Sequence, residues 1–328
     1  MNCILSIIIP AYNVERFISA AIQSALGQTL HNIEVIVIND GSTDGTLKEI
    51  NSINDARLSV ITKQNSGLSA TRNGGIKVSK GKYVGFLDGD DMWLPEKANL
   101  HISILEKNPS IGITYNYHAY IDEVGNYTGQ FLITKNHQPT IIDLLTRNCI
   151  TSDAIVRKEC FIAAGLFDES LTSCEDWEMW VRIYHKTHYR ARLIPKVLTC
   201  YRTRSSSLTM DFEVFLFNSK KVIGKFESGI PFFTEHLRRR ALAENYRIAS
   251  RKSLSVGKLD ISARYILKAM RCCPSILFKD IRAFGTFALI MLETFVPACW
   301  RGKVYILARK IMKIFYRHYI LFIEKAHI

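Results

Sequence analysis

The chain has 328 residues, 48% of them hydrophobic and 22% charged, the balance of a folded protein rather than a disordered, collagen-like or coiled-coil one. Its net charge of +13 is uneven: residues 201–328 hold 24 basic against 9 acidic side chains, and residues 1–200 hold 19 against 21. The near-neutral first part excludes a nucleic-acid partner there. Eight cysteines without a CxxC pair exclude a disulfide framework and imply buried thiols in a reducing compartment.

The uncharged start, Met1 to Val14, lacks the positive n-region and small-residue cleavage site of a signal peptide. Ile4–Pro10 instead predicts a buried strand, β-branched and ended by proline. Apolar residues at Phe17, Ile18, Ala21, Ile22 and Ala25 predict a helix over Val14–Leu26. Glu34–Asn39 (EVIVIN) is a second buried strand, followed by the turn DGSTDGT. A helix is expected over Thr43–Ile50, with Ser42 or Thr43 as its N-cap. Leu58–Thr62 reads as a strand, Leu68–Val78 as a helix and Tyr83–Leu87 as a fourth strand. This alternation is the signature of a parallel sheet with right-handed crossovers. Further on, 111–133 reads as a hairpin with a turn at Gly125-Asn126. Gln138–Asn148 reads as a short helix. Trp177, Trp180, Val181 and Tyr184 share one face of another, and Val197–Tyr201 is a strand.

Such sheets bind ligands at the carboxyl ends of their strands. Pro10, Ala11 and Tyr12 follow the first strand, Asp40 and Gly41 the second, and Asp88, Gly89, Asp90 and Asp91 the fourth. Asp88 and Asp90 stand at i and i+2, so their carboxylates share a face and repel unless a cation or donor lies between them. A hard divalent ion, bound by one or two carboxylates and a substrate phosphate, satisfies that need; an ordinary turn is the plainer alternative. Asp40 can accept a hydrogen bond from a nucleobase imide or ribose hydroxyl, or simply close a turn, whereas Asp44 reads as a helix cap. Glu175-Asp176 opens the aromatic helix. Acids there complement the helix dipole, or one of them serves as a general base toward an attacking hydroxyl.

Seven blocks occur in order: SIIIPAYNVERFI, EVIVINDGSTDGT, QNSGLSATRNGGI, GKYVGFLDGDDMW, GLFDESL, CEDWEMWVR and YRTRSSSLT. Together they resemble the inverting, nucleotide-sugar-dependent glycosyltransferases of family 2. The resemblance implies an α/β GT-A fold over residues 1–210, with a Rossmann-like mixed sheet; charge and pattern add a basic helical region over 211–328. It implies that Asp40 contacts uracil, that Asp90 binds Mn²⁺ or Mg²⁺ bridging the diphosphate, and that Asp88 contacts ribose or the metal through water. Asp176 becomes the catalytic base. Pro10 and Tyr12 join the substrate-binding residues, and Arg72 either meets the nucleotide or braces Asp88. Two features depart from the family. Arg204 stands where a histidine is common; it can neutralise phosphate but is a poor metal ligand. The QxxRW motif of processive synthases is absent, which favours transfer of one sugar at a time. The acceptor is expected between 111 and 180, near Thr151, Ser152 and Asp153.

The function implied is transfer of one sugar from a nucleotide-sugar, UDP-linked, to a hydroxyl of a glycan or lipid-linked acceptor in cell-surface polysaccharide synthesis. The alternatives are a non-catalytic module of the same fold that binds membrane or partners, and a sugar-phosphate nucleotidyltransferase. PAYNVER lacks the Gly-rich, basic phosphate loop that the nucleotidyltransferase needs. Beyond 212 the pattern is helical. A tetratricopeptide-like hairpin is expected at about 235–274, followed by amphipathic helices over 276–328. Basic and aromatic residues interleave in KVYILARKIMKIFYRHYILFIEK, a pattern suited to lying on an anionic membrane surface. The apolar stretch 281–300 holds Arg282, Glu293 and Pro297 and falls short of a spanning helix. The expected location is therefore cytoplasmic, peripheral on the inner face of the cell membrane.

Overall fold

The computed structural model describes residues 3–134, 137–204 and 211–276, together with 285, 287, 288 and 290. Its centre is a mixed sheet. Strand β1 (Leu5–Ala11) lies between β2 (Ile33–Asp40) and β4 (Tyr83–Phe86), parallel to both, and β3 (Leu58–Lys63) extends the parallel part beyond β2. On the far side of β4 comes β8 (Ile155–Arg157), antiparallel to β4 and to β6 (Ile111–Ile121). The long β9 (Arg190–Arg202) runs parallel to β6. It carries the two-residue β5 (Met92–Trp93) on its outer edge, and β7 (Tyr127–Leu132) forms a hairpin with β6.

Every residue of β1 is buried, because helices cover both faces of the sheet and a strand without charge tolerates that. Helix α1 (Ile18–Leu26) turns Ile18, Ala21, Ile22 and Ala25 inward. Helix α3 (Leu68–Val78) comes so close to β1 that a Cβ on Gly75 would sit 2.5 Å from Ile8 Cγ2. That approach brings Arg72, one turn earlier, over the end of β4.

Helix α1 begins four residues later than the periodicity suggests. Residues 14–17 form a turn in which Val14 N–H donates to Thr46 Oγ1 at 2.8 Å. Helix α2 (Thr46–Asn51) also starts late. Asn13 Oδ1 accepts from Thr43 N–H, so residues 42–43 are held in the loop, and Asp44 Oδ1 accepts from Thr46 N–H at 3.0 Å. Two helices and two strands have no counterpart among the predicted elements: α4 (Lys97–Lys107), α6 (Lys158–Ala164), β5 and β8. The short α5 (Ile141–Thr146) is closed by a capping box between Thr140 and Asp143. It leads by way of residues 147–154 into β8, and α7 (Glu175–Lys186) follows α6.

The contacts divide the chain into two units, Met1–Arg238 and Arg239–Ile328. The boundary expected at 210/211 rests on the extent of the seven blocks and the helical pattern beyond them, whereas the packing division falls after Arg238. Helix α8 (Phe212–Gly229) sits with the first unit, its Phe226 ring edge-on to Trp177 with centroids 5.4 Å apart. Helix α9 (Glu235–Ser255) runs across the boundary. In the second unit it folds back on α10 (Leu259–Cys272) through Gly257, whose φ of 77° favours glycine. Small residues line that hairpin, and Ser250 Oγ donates to Ser262 O at 2.8 Å. Among the described residues no helix is long and apolar enough to cross a membrane. The amphipathic helices expected over 276–328 lie, but for five positions, outside the described residues.

Candidate active site

The loops after β1 and β2 interlock. Asn13, at φ 51°, donates its N–H to Ser42 Oγ, and Glu15 Oε2 accepts from Gly45 N–H at 2.6 Å. Tyr12 stays half exposed on this rim, whereas Pro10 is buried in β1. Asp40 stands at the end of β2 with its side chain 6% exposed. It accepts from Ser66 N–H and Gly67 N–H, both at 3.0 Å, and pairs with Lys63. Its carboxylate thus shapes the 64–67 loop before any ligand arrives.

The turn Asp88-Gly89-Asp90-Asp91 packs directly beneath the end of β1, where a Cβ on Gly89 would lie 3.0 Å from Pro10 O. A side chain there would crowd the end of β1, and this close approach holds Asp88 and Asp90 at the sheet's carboxyl edge. Asp88 Oδ1 meets Arg72 Nη2 at 2.9 Å, and Arg72 Nη1 meets Glu175 Oε1 at 2.6 Å. Arg72 is wholly buried, its guanidinium 5.6 Å from the Phe86 ring centroid and 5.8 Å from that of Phe167. Both charged ends of Arg72 are thereby committed to bracing, one to β4 and the other to the first residue of α7.

Asp90 Oδ2 pairs with Arg204 Nη2 at 2.7 Å. Asp91 is buried and accepts from Arg202 N–H at 2.8 Å, while Arg202 Nε donates to Asp90 O. Burial, then the neighbouring Asp88, raise the Asp90 carboxyl above its usual range against the pull of Arg204. Burial, then Asp90 and Asp88, push Asp91 up much further. Five acids (Asp88, Asp90, Asp91, Glu175 and Asp176) thus face three arginines (Arg72, Arg202 and Arg204). The crowding of these carboxyl groups, each opposing its neighbour's ionisation on hard oxygen donors, is what a divalent ion relieves. Arg204 engages one oxygen of Asp90, and Asp88 is 30% exposed. Among the described residues no group of three His, Cys, Asp or Glu side chains forms a ready-made cage. The residues therefore fit an ion held by one or two carboxylates and completed by substrate phosphate.

The arginines share a platform. The Phe17 centroid lies 4.9 Å from the Arg202 guanidinium carbon, 5.4 Å from that of Arg204 and 5.2 Å from that of Arg16. Phe17 is 6% exposed, so its ring face meets cations partly stripped of water, where such contacts are strongest.

Asp176 lies in the first turn of α7, right after Cys174, whose φ of 62° is rare for a residue with a side chain. Trp177 N–H donates to Asp176 Oδ1 at 2.7 Å, and Asn148 Nδ2 donates to Oδ2 at 2.8 Å. Loss of bulk water around the group, then the adjacent Glu175 charge, push its carboxyl up to about 7 against Arg72 and the two hydrogen bonds. Part of the Asp176 surface remains accessible, as a group that must meet a substrate requires.

Asp153 departs from its expected place near the acceptor. Its carboxylate is buried, 2.9 Å from His118 Nε2, and is also paired with Lys97, which is itself 0% exposed. Burial opposes its ionisation, but His118 and Lys97 outweigh burial and hold it well below the usual carboxylate range. Asp153, just before β8, therefore ties α4 to β6 and, through Thr199, to β9 from inside. Sequence reasoning also passed over Phe17, Asn148 and Arg202 as parts of the site, whereas it places Asp91 with Asp88 and Asp90 at the end of the fourth strand. Arg202 was visible in the YRTR block; Phe17 and Asn148 carry no local signal.

A mixed α/β sheet with acids at its carboxyl edge is the GT-A arrangement, and solved structures agree. The chain superposes on a mannosyltransferase from Pyrobaculum calidifontis, PcManGT in complex with GDP-Man and Mn²⁺, with a TM-score of 0.58 at 16% identity, over 94% of this chain and 86% of that one. It superposes on S. aureus TarS 1-349 in complex with UDP-GlcNAc with a TM-score of 0.54 at 18% identity, over 82% and 89%. The family model for glycosyl transferase family 2 matches residues 6–163. An Escherichia coli relative, the UDP-Glc:alpha-D-GlcNAc-diphosphoundecaprenol beta-1,3-glucosyltransferase WfgD, is 30% identical over 68% of this chain and 86% of its own length. An uncharacterized glycosyltransferase of Rickettsia bellii is 35% identical over 55% of this chain, but the match spans only 27% of that protein. The chain belongs to glycosyl transferase family 2.

Proposed function

We propose that the chain is an inverting glycosyltransferase. It moves one sugar from a UDP-linked donor to a hydroxyl of a lipid-linked glycan acceptor during cell-surface polysaccharide synthesis. The observation that carries this reading is Asp176: a partly accessible carboxyl raised to about 7, tied to the acid cluster of the β4 end through Glu175, Arg72 and Asp88. A base poised near neutrality can take the proton of an attacking hydroxyl without being blocked at cellular pH. The UDP-bound TarS structure and the named activity of WfgD support the donor and acceptor classes.

When bound, a Mn²⁺ or Mg²⁺ ion held by Asp90 with Asp88 beside it supplies electrostatic stabilisation to the departing diphosphate. Arg204, paired with Asp90, adds positive charge for the same leaving group. Asp40, Lys63 and the 64–67 loop form the rim that receives the nucleoside, with Tyr12 and Pro10 on the neighbouring strand end. Asp176 accepts the proton as the acceptor oxygen attacks the anomeric carbon from the face opposite the diphosphate. One displacement inverts the centre, so an α-linked donor yields a β-linked product and no enzyme nucleophile is needed. The basic last segment serves to hold the enzyme at the inner membrane face, where a lipid-linked acceptor lies.

The test is turnover of Asp176→Asn against wild type, with UDP affinity measured separately by calorimetry. The reading expects retained affinity and turnover lowered by about a hundred- to ten-thousandfold. Near-normal turnover would remove Asp176 as the base.

A further inference from the structure

We infer that Asn148 is a positioning residue for the proposed base: its amide fixes the Asp176 carboxylate and sets the pH at which it works. This rests on the reading of Asp176 as the base. The two residues are 28 positions apart, and packing of α5 on α7 brings the loop carrying Asn148 to the base.

The placement is determined from both sides. Asn148 Oδ1 accepts from Ile150 N–H at 3.2 Å, which fixes the amide so that Nδ2 is the end left to donate. That Nδ2 reaches Asp176 Oδ2 at 2.8 Å. One residue along the same helix, Trp177 Nε1 donates to Leu144 O, so α5 and the loop after it are pinned to the turn that presents the base. Trp177 N–H occupies Oδ1. With one donor on each oxygen the carboxylate plane has little freedom, and its open lone pairs face outward. Asn148 is itself exposed, so it meets the same solvent-filled space as the base. An interior packing role does not explain it.

The charged groups facing Asp176 are Glu175 on its own helix and Arg72 from α3, with Asp88 behind Arg72. Arg72 is already shared between two other acids. The Asn148 hydrogen bond is thus a neutral contact from another element that favours the ionised base. Removing it leaves the desolvated carboxyl facing Glu175, and the proton binds more tightly.

The experiment is a titration of full-length protein carrying ¹³C-labelled aspartate carboxyls, with the Asp176 signal assigned by its absence in Asp176→Asn. The midpoint in Asn148→Ala should move upward by about one pH unit from that of the wild type. In Asn148→Asp it should move further, because a second acid now faces the first. UDP affinity by calorimetry should hold in both variants, while the acid limb of turnover shifts with the midpoint. An Asp176 midpoint unchanged in both variants would overturn the role of Asn148. If Asp176→Asn turns over normally, the base assignment fails instead, and the titration still reports whether Asn148 controls that carboxyl.

Discussion

Replacing Asp176 by asparagine should stabilise the protein while disabling it. The native carboxyl is raised from 3.8 to about 7, so the folded state holds its proton more tightly than the unfolded chain does. Ionising it in place costs up to about 4 kcal/mol relative to the unfolded chain. Because the group is partly exposed, solvent screening reduces the expected cost to roughly 1–2 kcal/mol. The sign follows from linkage: with the folded value above the unfolded one, stability is complete below about pH 3.8 and is lost as pH rises through 7. Asparagine removes that loss. Its advantage should therefore be full above pH 7, shrink between 7 and 3.8, and vanish below. Urea unfolding followed by tryptophan fluorescence suits the measurement, since Trp93, Trp177 and Trp180 are all buried in the first unit. An Asp176→Asn variant less stable than wild type at pH 8, or equally displaced at pH 8 and pH 3.5, would refute the strained-carboxyl reasoning.

Asp90→Ala should abolish divalent-ion-dependent transfer and weaken the dependence of UDP affinity on Mn²⁺, measured by calorimetry with and without the ion. Undiminished wild-type turnover in EDTA would argue against the metal role. Phe17→Leu should lower UDP affinity several-fold with a smaller effect on turnover at saturation, since the ring orients Arg202 and Arg204. The loss should be largely absent when Arg204 is already Met, and an additive double mutant would show that Phe17 acts elsewhere. Lys97→Met leaves Asp153 buried without its ammonium partner and should cost about 3–5 kcal/mol in unfolding experiments. A neutral outcome would mean that His118 and Thr199 satisfy the carboxylate without the ammonium. Full-length protein should float with anionic vesicles at low salt and lose that binding at high salt or on truncation at about 275. Protein that stays behind at low salt would refute membrane docking.

The parallel half of the fold was legible because LSIIIPA and the VIVI of β2 are uncharged β-branched runs, as strands buried on both faces require. Helix α4 was hidden by its own interior. Lys97 and His101 point inward at 0% exposure, so the polar residues that mark an outer face elsewhere lie in the core here. Strand β8 has three residues, too few for any periodicity, and Pro195 with Lys196 masked the length of β9. Of the candidate site, Asp88, Asp90 and Asp176 could be named because strand ends and helix starts are local features. Of their partners, only Arg72 beside Asp88 was named, and that as one of two alternatives implied by the family resemblance. Arg72 meets Glu175 across 103 positions, and Phe17 gathers arginines from the two ends of the catalytic unit, pairings that only tertiary packing creates. Asp153 shows the converse error, a polar residue in a loop-like stretch that the fold uses as an interior tie.

The account stands or falls on the stereochemistry of transfer. Purified protein with Mn²⁺ should be given UDP-glucose, UDP-galactose and UDP-GlcNAc in turn, with a GlcNAc-diphospholipid acceptor, and the product examined by proton NMR. The account predicts acceptor-dependent UDP release from one of these α-linked donors, a β-linked product, and loss of both in Asp176→Asn. An α-linked product, or equal product formation by Asp176→Asn, would contradict it.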